Sequence, residues 1–399
     1  MTLYLGVDVG STRTKLVVWD AEADVLVSGA SVRTPVVPGP VERRDHAAVW
    51  DALGAMARTL PDELRRGIRA VSVASIGEEI ALLGDDGRSV GPTPCWYALD
   101  RADDARSGEQ LSREHLAFLR RNDPGLVARA VGFTDVGSHI AMRLAGLAAE
   151  LSVMDRSHAS RTGFIAPTGE WDAAAVAENR VEEVGRLPRL VESGEPLGPI
   201  SPAAAASWGL PHDIVVHAGG HDHFCGALAA GAAEPGDVFV SVGTSESVLQ
   251  LVDREAVAAW PADGLERGFF VTPGLGYLHG SRRSGRRIAG LLTRHGLASL
   301  DPLYLELDDP AGSRRSHAAS ELEDELHRQA DASAALIARQ AEASGIATRK
   351  VVIGGLPATQ PAWRRIRREA LSVPVSFASE TELSGKGAAM LAAPERSRR

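Results

Sequence analysis

One short pattern occurs twice in this chain. Val9-Gly10-Ser11-Thr12 leads into an apolar run ending at Asp20, and Val242-Gly243-Thr244-Ser245 leads into a similar run ending at Asp253. The glycines and the aspartates are both offset by 233 residues, 10 to 243 and 20 to 253. Each copy reads as strand, glycine-hydroxyl turn, strand: residues 3–7 into 16–19, and 238–240 into 248–251. A tight turn of this kind calls for glycine at positive φ. It also leaves backbone N–H groups exposed beside small hydroxyls, a setting suited to anions. A duplicated hairpin constrains the chain to two similar halves, and two such turns together suit a polyphosphate.

The bulk numbers agree with two ordinary domains. A chain of 399 residues can bury two sizeable cores. Hydrophobic residues at 44% and charged residues at 24% exclude wholesale disorder. The net charge of −9 argues against a nucleic-acid partner. Arg282, Arg283, Arg286 and Arg287 form the one dense basic run before the tail and read as a solvated helix edge before a phosphate contact. Two distant cysteines, Cys95 and Cys225, rule out a disulfide framework and suit a reducing compartment. No apolar stretch approaches a membrane span, and Asp8 inside the first strand argues against a signal peptide. The expectation is a cytoplasmic protein with no membrane partner, and a homodimer is the assembly expected.

The local pattern is α/β throughout. Strands are expected at 25–32, 71–75 and 80–83, and helices at 46–64, 110–119 and 136–147. Asp172 is a plausible N-cap. Pro196, Pro199, Pro202 and Pro211 punctuate the chain before an apolar strand at 214–216, which places a domain boundary between residues 213 and 214. The second half restarts with strand, glycine-rich turn and helix. A long helix is expected from Ser320, whose Ser-x-x-Glu spacing to Glu323 is that of a capping box, to Gly345. Alternating strand and helix then continue to residue 392.

Several residue groups carry possible chemistry. Asp8 ends a strand two residues before the first turn, where it could hold Mg²⁺ while Gly10, Ser11 and Thr12 approach phosphate oxygens, with Lys15 as a charge partner. The plain alternative is that Asp8 satisfies turn amides. Asp222, in Gly219-Gly220-His221-Asp222-His223, follows a buried strand and opens a helix, a place suited to a general base for an alcohol. An N-cap serves as well at that position. His217, His221, Asp222, His223 and Cys225 also admit a transition-metal reading, although His221, Asp222 and His223 at adjacent positions cannot all face one ion without an unusual turn. Glu78-Glu79 after a strand, and Trp96 with Asp100 after a Pro-bounded loop, suit a polyhydroxylated ligand, or else an acidic turn and a core tryptophan. Gly354-Gly355 marks either a close approach to a flat ligand or a plain turn.

Taken together these pieces resemble the FGGY family of carbohydrate kinases, within the actin and hexokinase superfamily. The specific part runs from Gly219-Gly220-His221-Asp222-His223 through Glu234-Pro235-Gly236-Asp237 to Ser241-Val242-Gly243-Thr244-Ser245. Asp8 with Gly10-Ser11-Thr12, Trp96 with Asp100-Arg101, Asp155 with Ser157, Ala159 and Thr162, Trp171-Asp172, Leu187-Pro188 and Gly387-Ala388-Ala389 support it. The resemblance implies an α/β fold of two ribonuclease-H-like (actin-like ATPase) domains with an interdomain cleft, residues 1–213 on the sugar side and 214–399 on the nucleotide side. It implies ATP phosphates at Gly10, Ser11, Thr12, Gly243 and Thr244, with Lys15 nearby, and adenosine at Gly354 and Gly355. Mg²⁺ falls at Asp8, and the base is Asp222. A small sugar or polyol is implied near Glu78, Glu79, Trp96, Asp100 and His223, with closure of the cleft excluding water.

The chain departs from the family in two places. Residues 276–318 are shorter than usual and lack the Pro-x-x-x-Gly-x-Arg-x-Pro signature, and Leu356-Pro357-Ala358-Thr359 replaces a third glycine and a serine after Gly355. Glu78-Glu79 also differs from the Met-His of xylulose kinases, which argues against assuming xylulose. Beside the kinase reading stand a non-catalytic nucleotide or sugar sensor on the same fold and a metal-dependent hydrolase using the His217-His221-His223 loop.

Overall fold

The structure is a computed structural model. It describes residues 1–100, 111–243, 245–259, 264–282, 285–309 and 315–394. The chain forms two compact units. The first comprises Met1–Ala229, Gly268–Pro273 and the segment from Glu382, and the second comprises Ala230–Arg267 and Gly274–Thr381.

In the first unit, strand β1 (Leu3–Val9) is the centre of the main sheet. On one side it pairs antiparallel with β2 (Arg13–Asp20), which pairs with β3 (Val25–Arg33). On the other it pairs parallel with β4 (Ile68–Ser75), and β4 with β5 (Val215–His221). Side chains alternate along β1. Leu3, Leu5, Val7 and Val9 enter a core with helices α1 (His46–Thr59) and α2 (Val136–Ala145), whereas Tyr4 joins a smaller cluster on the opposite face. Helix α3 (Asp222–Ala229) follows β5 directly.

The second unit repeats the plan. Strand β6 (Asp237–Val242) pairs antiparallel with β7 (Glu246–Asp253), and β7 with β8 (Leu275–Arg282). On its other side β6 pairs parallel with β9 (Lys350–Gly354), and β9 with β10 (Val375–Phe377). The order β8-β7-β6-β9-β10 matches β3-β2-β1-β4-β5, with three antiparallel strands followed by two parallel ones, the ribonuclease-H-like arrangement. Helices α4 (His317–Ser344) and α5 (Pro361–Glu369) cover one face, with Leu322, Leu326, Ile337, Trp363 and Ile366 packed on Val238, Val240, Val351 and Ile353.

Helix α6 (Leu383–Ala392) ends the described chain and packs on the first sheet and α3. The approach is backbone to backbone. A Cβ on Gly6 would lie 1.9 Å from the Gly385 carbonyl oxygen, and one on Gly387 would lie 1.9 Å from that of Cys225. The run Gly387-Ala388-Ala389 is small for this reason. Among the described residues no helix is long and apolar enough to cross a membrane.

Five expectations are corrected. The units do not divide at residue 213/214: β5 completes the first sheet through its parallel pairing with β4, and α3 and α6 belong with it. The Pro-rich stretch read as marking that boundary is an edge strand, Pro196–Pro199, and a helix, Pro202–Trp208, whose Trp208 is fully buried against Trp50. The expected helix at 46–64 breaks at Leu60 and Pro61, because proline cannot continue the hydrogen-bond ladder. Helix α4 begins a turn before Ser320: Ser316 caps it by accepting from the Ala319 N–H at 3.1 Å, and Glu323 pairs with Arg315 instead. The helix does stop at Gly345, at φ +67°.

The fifth correction concerns the repeat itself. Neither Gly10 nor Gly243 has a positive φ. The Gly10 N–H donates to the Arg13 carbonyl at 3.1 Å, and a Cβ there would crowd the same oxygen at 2.9 Å, so the constraint on Gly10 is steric. The second hairpin is one residue tighter. The first closes on the pair Val9–Thr14, the second on Val242–Glu246, with the Gly243 N–H donating to the Ser245 carbonyl at 2.8 Å.

The close seating of α6 predicts that Gly387→Val, which drives a side chain into the Cys225 carbonyl, destabilises the protein by about 3 kcal/mol. Urea unfolding should show this, while Ala203→Val on an exposed helix face leaves the midpoint nearly unchanged.

Candidate active site

Three parallel strands of the first unit end at one level. Asp8 of β1 lies beside Ala74 of β4, and Ala74 beside Gly220 of β5. Strand β5 reaches that level through a bulge between His217 and Gly220, where a Cβ on Gly219 would lie 1.8 Å from the Val73 carbonyl oxygen. A bulge of this kind re-aims the strand end. The chain then enters α3, whose first residue is Asp222.

Asp222 is not held as a helix cap. Its Oδ1 accepts from the backbone N–H of its neighbour His223 at 2.7 Å and pairs with His221 Nδ1 at 2.9 Å, whereas a cap would accept from two or three residues further on. Burial pushes the carboxyl up. The His221 hydrogen bond and the charge and N–H of His223 outweigh burial and hold it at about 2. His221 has room to reach Asp222 because Gly77 carries no side chain: a Cβ there would lie 2.3 Å from the imidazole.

Asp8 is treated in the opposite way. It is buried, and its Oδ1 has no hydrogen-bond partner. Burial and then the charge of Asp222 push its carboxyl up to about 8, against the pull of Lys15. An orphaned hard oxygen beside a second carboxylate fits a divalent cation such as Mg²⁺, which would relieve the repulsion that the proton now relieves. Lys15 lies directly across from Asp8, but its ammonium is engaged with Glu382 at 2.7 Å.

Several other expected residues of this unit are tied to one another and to two arginines. The Trp96 indole N–H donates to Ser11 Oγ at 2.8 Å, and its backbone N–H to Glu79 Oε1 at 3.1 Å. Glu79 itself is sealed: it has no exposed surface, and Arg44 grips it through Nε at 2.9 Å and Nη2 at 3.0 Å. The expected direct sugar contact by Glu79 is therefore corrected to support of Trp96. Glu78 keeps some exposure and pairs with Arg161 at 2.8 Å, whose Cγ lies near Gly77. His223 stands edge-on to His221 at 5.6 Å. Thr12 is exposed at the hairpin tip. The side chain of Asp100, and Arg101 with it, lie outside the described residues.

In the second unit the hairpin glycine and the other predicted pair fall together. Gly354 is in register with Ser241, and Gly355, at φ +119°, passes so close to Val242 that a Cβ would lie 2.0 Å from its carbonyl oxygen. Thr244 lies outside the described residues. Beyond the turn, buried Glu246 receives Arg282 at 2.9 Å and Arg367 at 2.7 Å, a cluster that fixes the base of the hairpin. Arg282 is thus a strand residue pairing with a buried acid, and Arg287 is exposed on the next helix; Arg283 and the side chain of Arg286 lie outside the described residues.

Sequence reasoning missed Arg44, Arg161 and Glu246. An acid pair directly after an apolar strand signals that cations must be near, but not which ones. The transition-metal reading is also corrected. His217 Nδ1 is bonded to the Gly194 carbonyl at 2.9 Å and His221 Nδ1 to Asp222, and among the described residues His217, His221 and His223 do not bring three ligand atoms together. Among the described residues the convergent group of three ligand-type side chains is Asp135, Asp155 and His158.

Comparison with known proteins gives a consistent relationship. Residues 107–229 match the FGGY family of carbohydrate kinases, N-terminal domain. The chain is 29% identical to the xylulose kinase of Streptomyces coelicolor over 292 residues, 67% of this chain and 57% of that one. It is 24% identical to the xylulose kinase of Klebsiella pneumoniae over 269 residues, 61% and 53% of the two chains. The matches thus span little more than half the length of these relatives. Among solved structures, the xylulose kinase from Rhodospirillum rubrum has a TM-score of 0.81 at 22% identity, covering 98% of this chain and 89% of that one. The Plasmodium falciparum glycerol kinase with ADP has a TM-score of 0.81 at 14% identity over the same shares. At these identities the structural likeness is one of fold.

The raised Asp8 carboxyl makes a prediction about stability. Its folded value lies above that of an unfolded aspartate, so the folded chain holds an extra proton between about pH 4 and 8, and stability falls as pH rises through that window. Asp8→Asn should raise the thermal midpoint at pH 8 by about 2 °C or more, with the gain vanishing towards pH 4. A scan of melting temperature against pH for both proteins, without added divalent cation, checks it.

Proposed function

The chain belongs to the FGGY family of carbohydrate kinases, and from that premise we propose that it transfers the γ-phosphoryl group of ATP to a hydroxyl of a small sugar or polyol. The observation that carries this reading is the contrast between Asp222, an ionised carboxylate bound through one oxygen, and Asp8, a partnerless acid beside it. Two neighbouring carboxyls driven apart by their surroundings suit two roles, one an ionised group for the acceptor and the other a place for a cation.

In this reading the acceptor hydroxyl binds at Asp222 Oδ2. As its oxygen bonds to the γ-phosphorus and the bond from that phosphorus to the β–γ bridging oxygen breaks, the proton passes to Asp222 and ADP leaves. A carboxylate held near 2 is a weak base, which suits a loose, metaphosphate-like transition state: the hydroxyl becomes acidic only as the new bond forms, so proton transfer comes late. Asp222 therefore acts first by orienting the hydroxyl. Asp8 would hold Mg²⁺, which supplies charge neutralisation to the phosphates. Gly10, Ser11 and Thr12, with Gly243 and Thr244, would take phosphate oxygens, and Gly354 and Gly355 the adenosine. Lys15, tied to Glu382, would contribute its charge to the hairpin from that pair.

Trp96, Glu78, Asp100 and His223 would contact the acceptor. Among the described residues Arg44 and Arg161 are each engaged by a glutamate, while Asp222 adds negative charge there. An uncharged ketose or polyol suits this setting better than a sugar acid.

ATP turnover against ketoses, aldoses, polyols and aldonic acids tests the proposal. Turnover is expected with a neutral acceptor, and Asp222→Asn should reduce it by about 10²-fold or more. Binding of acceptor and ATP with no phosphorylation of any panel member would instead indicate a sensor. Gly77→Ala, which evicts the His221 ring, should lower kcat by about tenfold or more with the fold retained by circular dichroism.

A further inference from the structure

Beneath the Asp222 turn lies a fully buried network that the chemistry above does not use. His158, in the short helix Arg156–Ala159, hydrogen-bonds Asp155 through Nδ1, and the same nitrogen lies 3.6 Å from Asp135 Oδ1. Its Nε2 faces Ser75 Oγ, at the end of β4, at 3.0 Å. Asp135 caps α2, accepting from the Ser138 N–H at 2.8 Å. Burial would push the His158 imidazole down, but Asp135 and Asp155 push it up to about 10; burial pushes the Asp135 carboxyl up, while His158 holds that of Asp155 down against its burial.

Two lines of contact run from this cluster to one residue. Ser157 donates its hydroxyl to Asp155 Oδ1 and accepts the backbone N–H of His221 at 2.9 Å, while Ser193 donates to the same carboxylate oxygen at 3.1 Å. The His158 ring stacks on the His221 ring, with centroids 5.8 Å apart and planes at 22°. His221 in turn bonds Asp222 Oδ1. The backbone and the ring of one residue are therefore both held from below, at the step before the carboxylate.

We propose that His158 is a positioning residue: anchored between Asp135 and Asp155, it fixes the His221 backbone through Asp155 and Ser157 and the His221 ring by stacking, and so sets the direction in which Asp222 presents its second oxygen. This rests on the reading of Asp222 as the base. The strand ends carrying Ser75, Asp135, Asp155 and His221 meet at His158 and its two aspartates, so the cluster ties the Asp222 turn to the frame of the unit.

Steady-state kinetics of His158→Gln, with ATP and whichever neutral acceptor the panel identifies, tests it. The expected result is a kcat lowered by about tenfold or more, with both KM values within twofold and an unchanged circular dichroism spectrum. Should that variant not fold, Ser157→Ala removes only the hydroxyl that meets the His221 N–H and should show the same split. Unchanged kcat in a folded variant, or a loss shared between kcat and both KM values, overturns the proposal. Asp222→Asn separates the two claims: if it keeps wild-type turnover the base assignment fails, and if it is inactive while folded His158→Gln is unaffected, only the positioning role fails.

Discussion

Two carboxylates at the ends of parallel strands, Asp8 buried and Asp222 half-buried, divide one constraint unequally, and the first unit is organised around that division. Asp222 stays ionised because His221 and His223 donate to it, whereas Asp8 has an oxygen with no donor and takes up a proton. An unpaired charge at such depth is costly, and a group in that position either neutralises itself or acquires a cation. Two glycines, one in β5 and one after β4, follow from this need. Gly219 lets β5 bulge against Val73, and Gly77 leaves space for the imidazole that donates to Asp222.

The scaffold that supports this arrangement is built from close backbone contacts more than from side-chain bulk. Helix α6, from the far end of the chain, lies against β1 and α3 through Gly6, Gly385 and Gly387. It thereby backs both Asp8 on β1 and Asp222 on α3. The second unit repeats the strand order but secures its hairpin differently, with buried Glu246 gripped by Arg282 and Arg367. Removing one partner from such a cluster leaves a buried charge unpaired, which typically costs about 3–5 kcal/mol.

Much of this was legible in the sequence. The 233-residue offset lays β7 on β2 residue for residue, and the alternation of apolar strand and helix gave the fold class. Asp8 and Asp222 stood out because each ends an apolar strand where a charge needs a reason. Three things were not legible. The one-residue difference in hairpin closure depends on pairing register, which identical spacing conceals. The unit boundary was hidden because prolines mark an edge strand and a helix start as readily as a linker. The sealing of Glu79, expected as a sugar contact, was hidden because nothing in sequence links it to Arg44, 35 residues earlier, which closes over it.

The unequal division between Asp8 and Asp222 is the central claim, and ¹³C carboxyl NMR of the ligand-free protein tests it most directly. One buried aspartate signal should titrate near pH 8, disappear in Asp8→Asn, and shift to a lower midpoint when Mg²⁺ is added. The Asp222 signal should remain that of a carboxylate from pH 5 to pH 9. An Asp222 resonance that takes up a proton in this range, with Asp8 ionised throughout, would contradict the account.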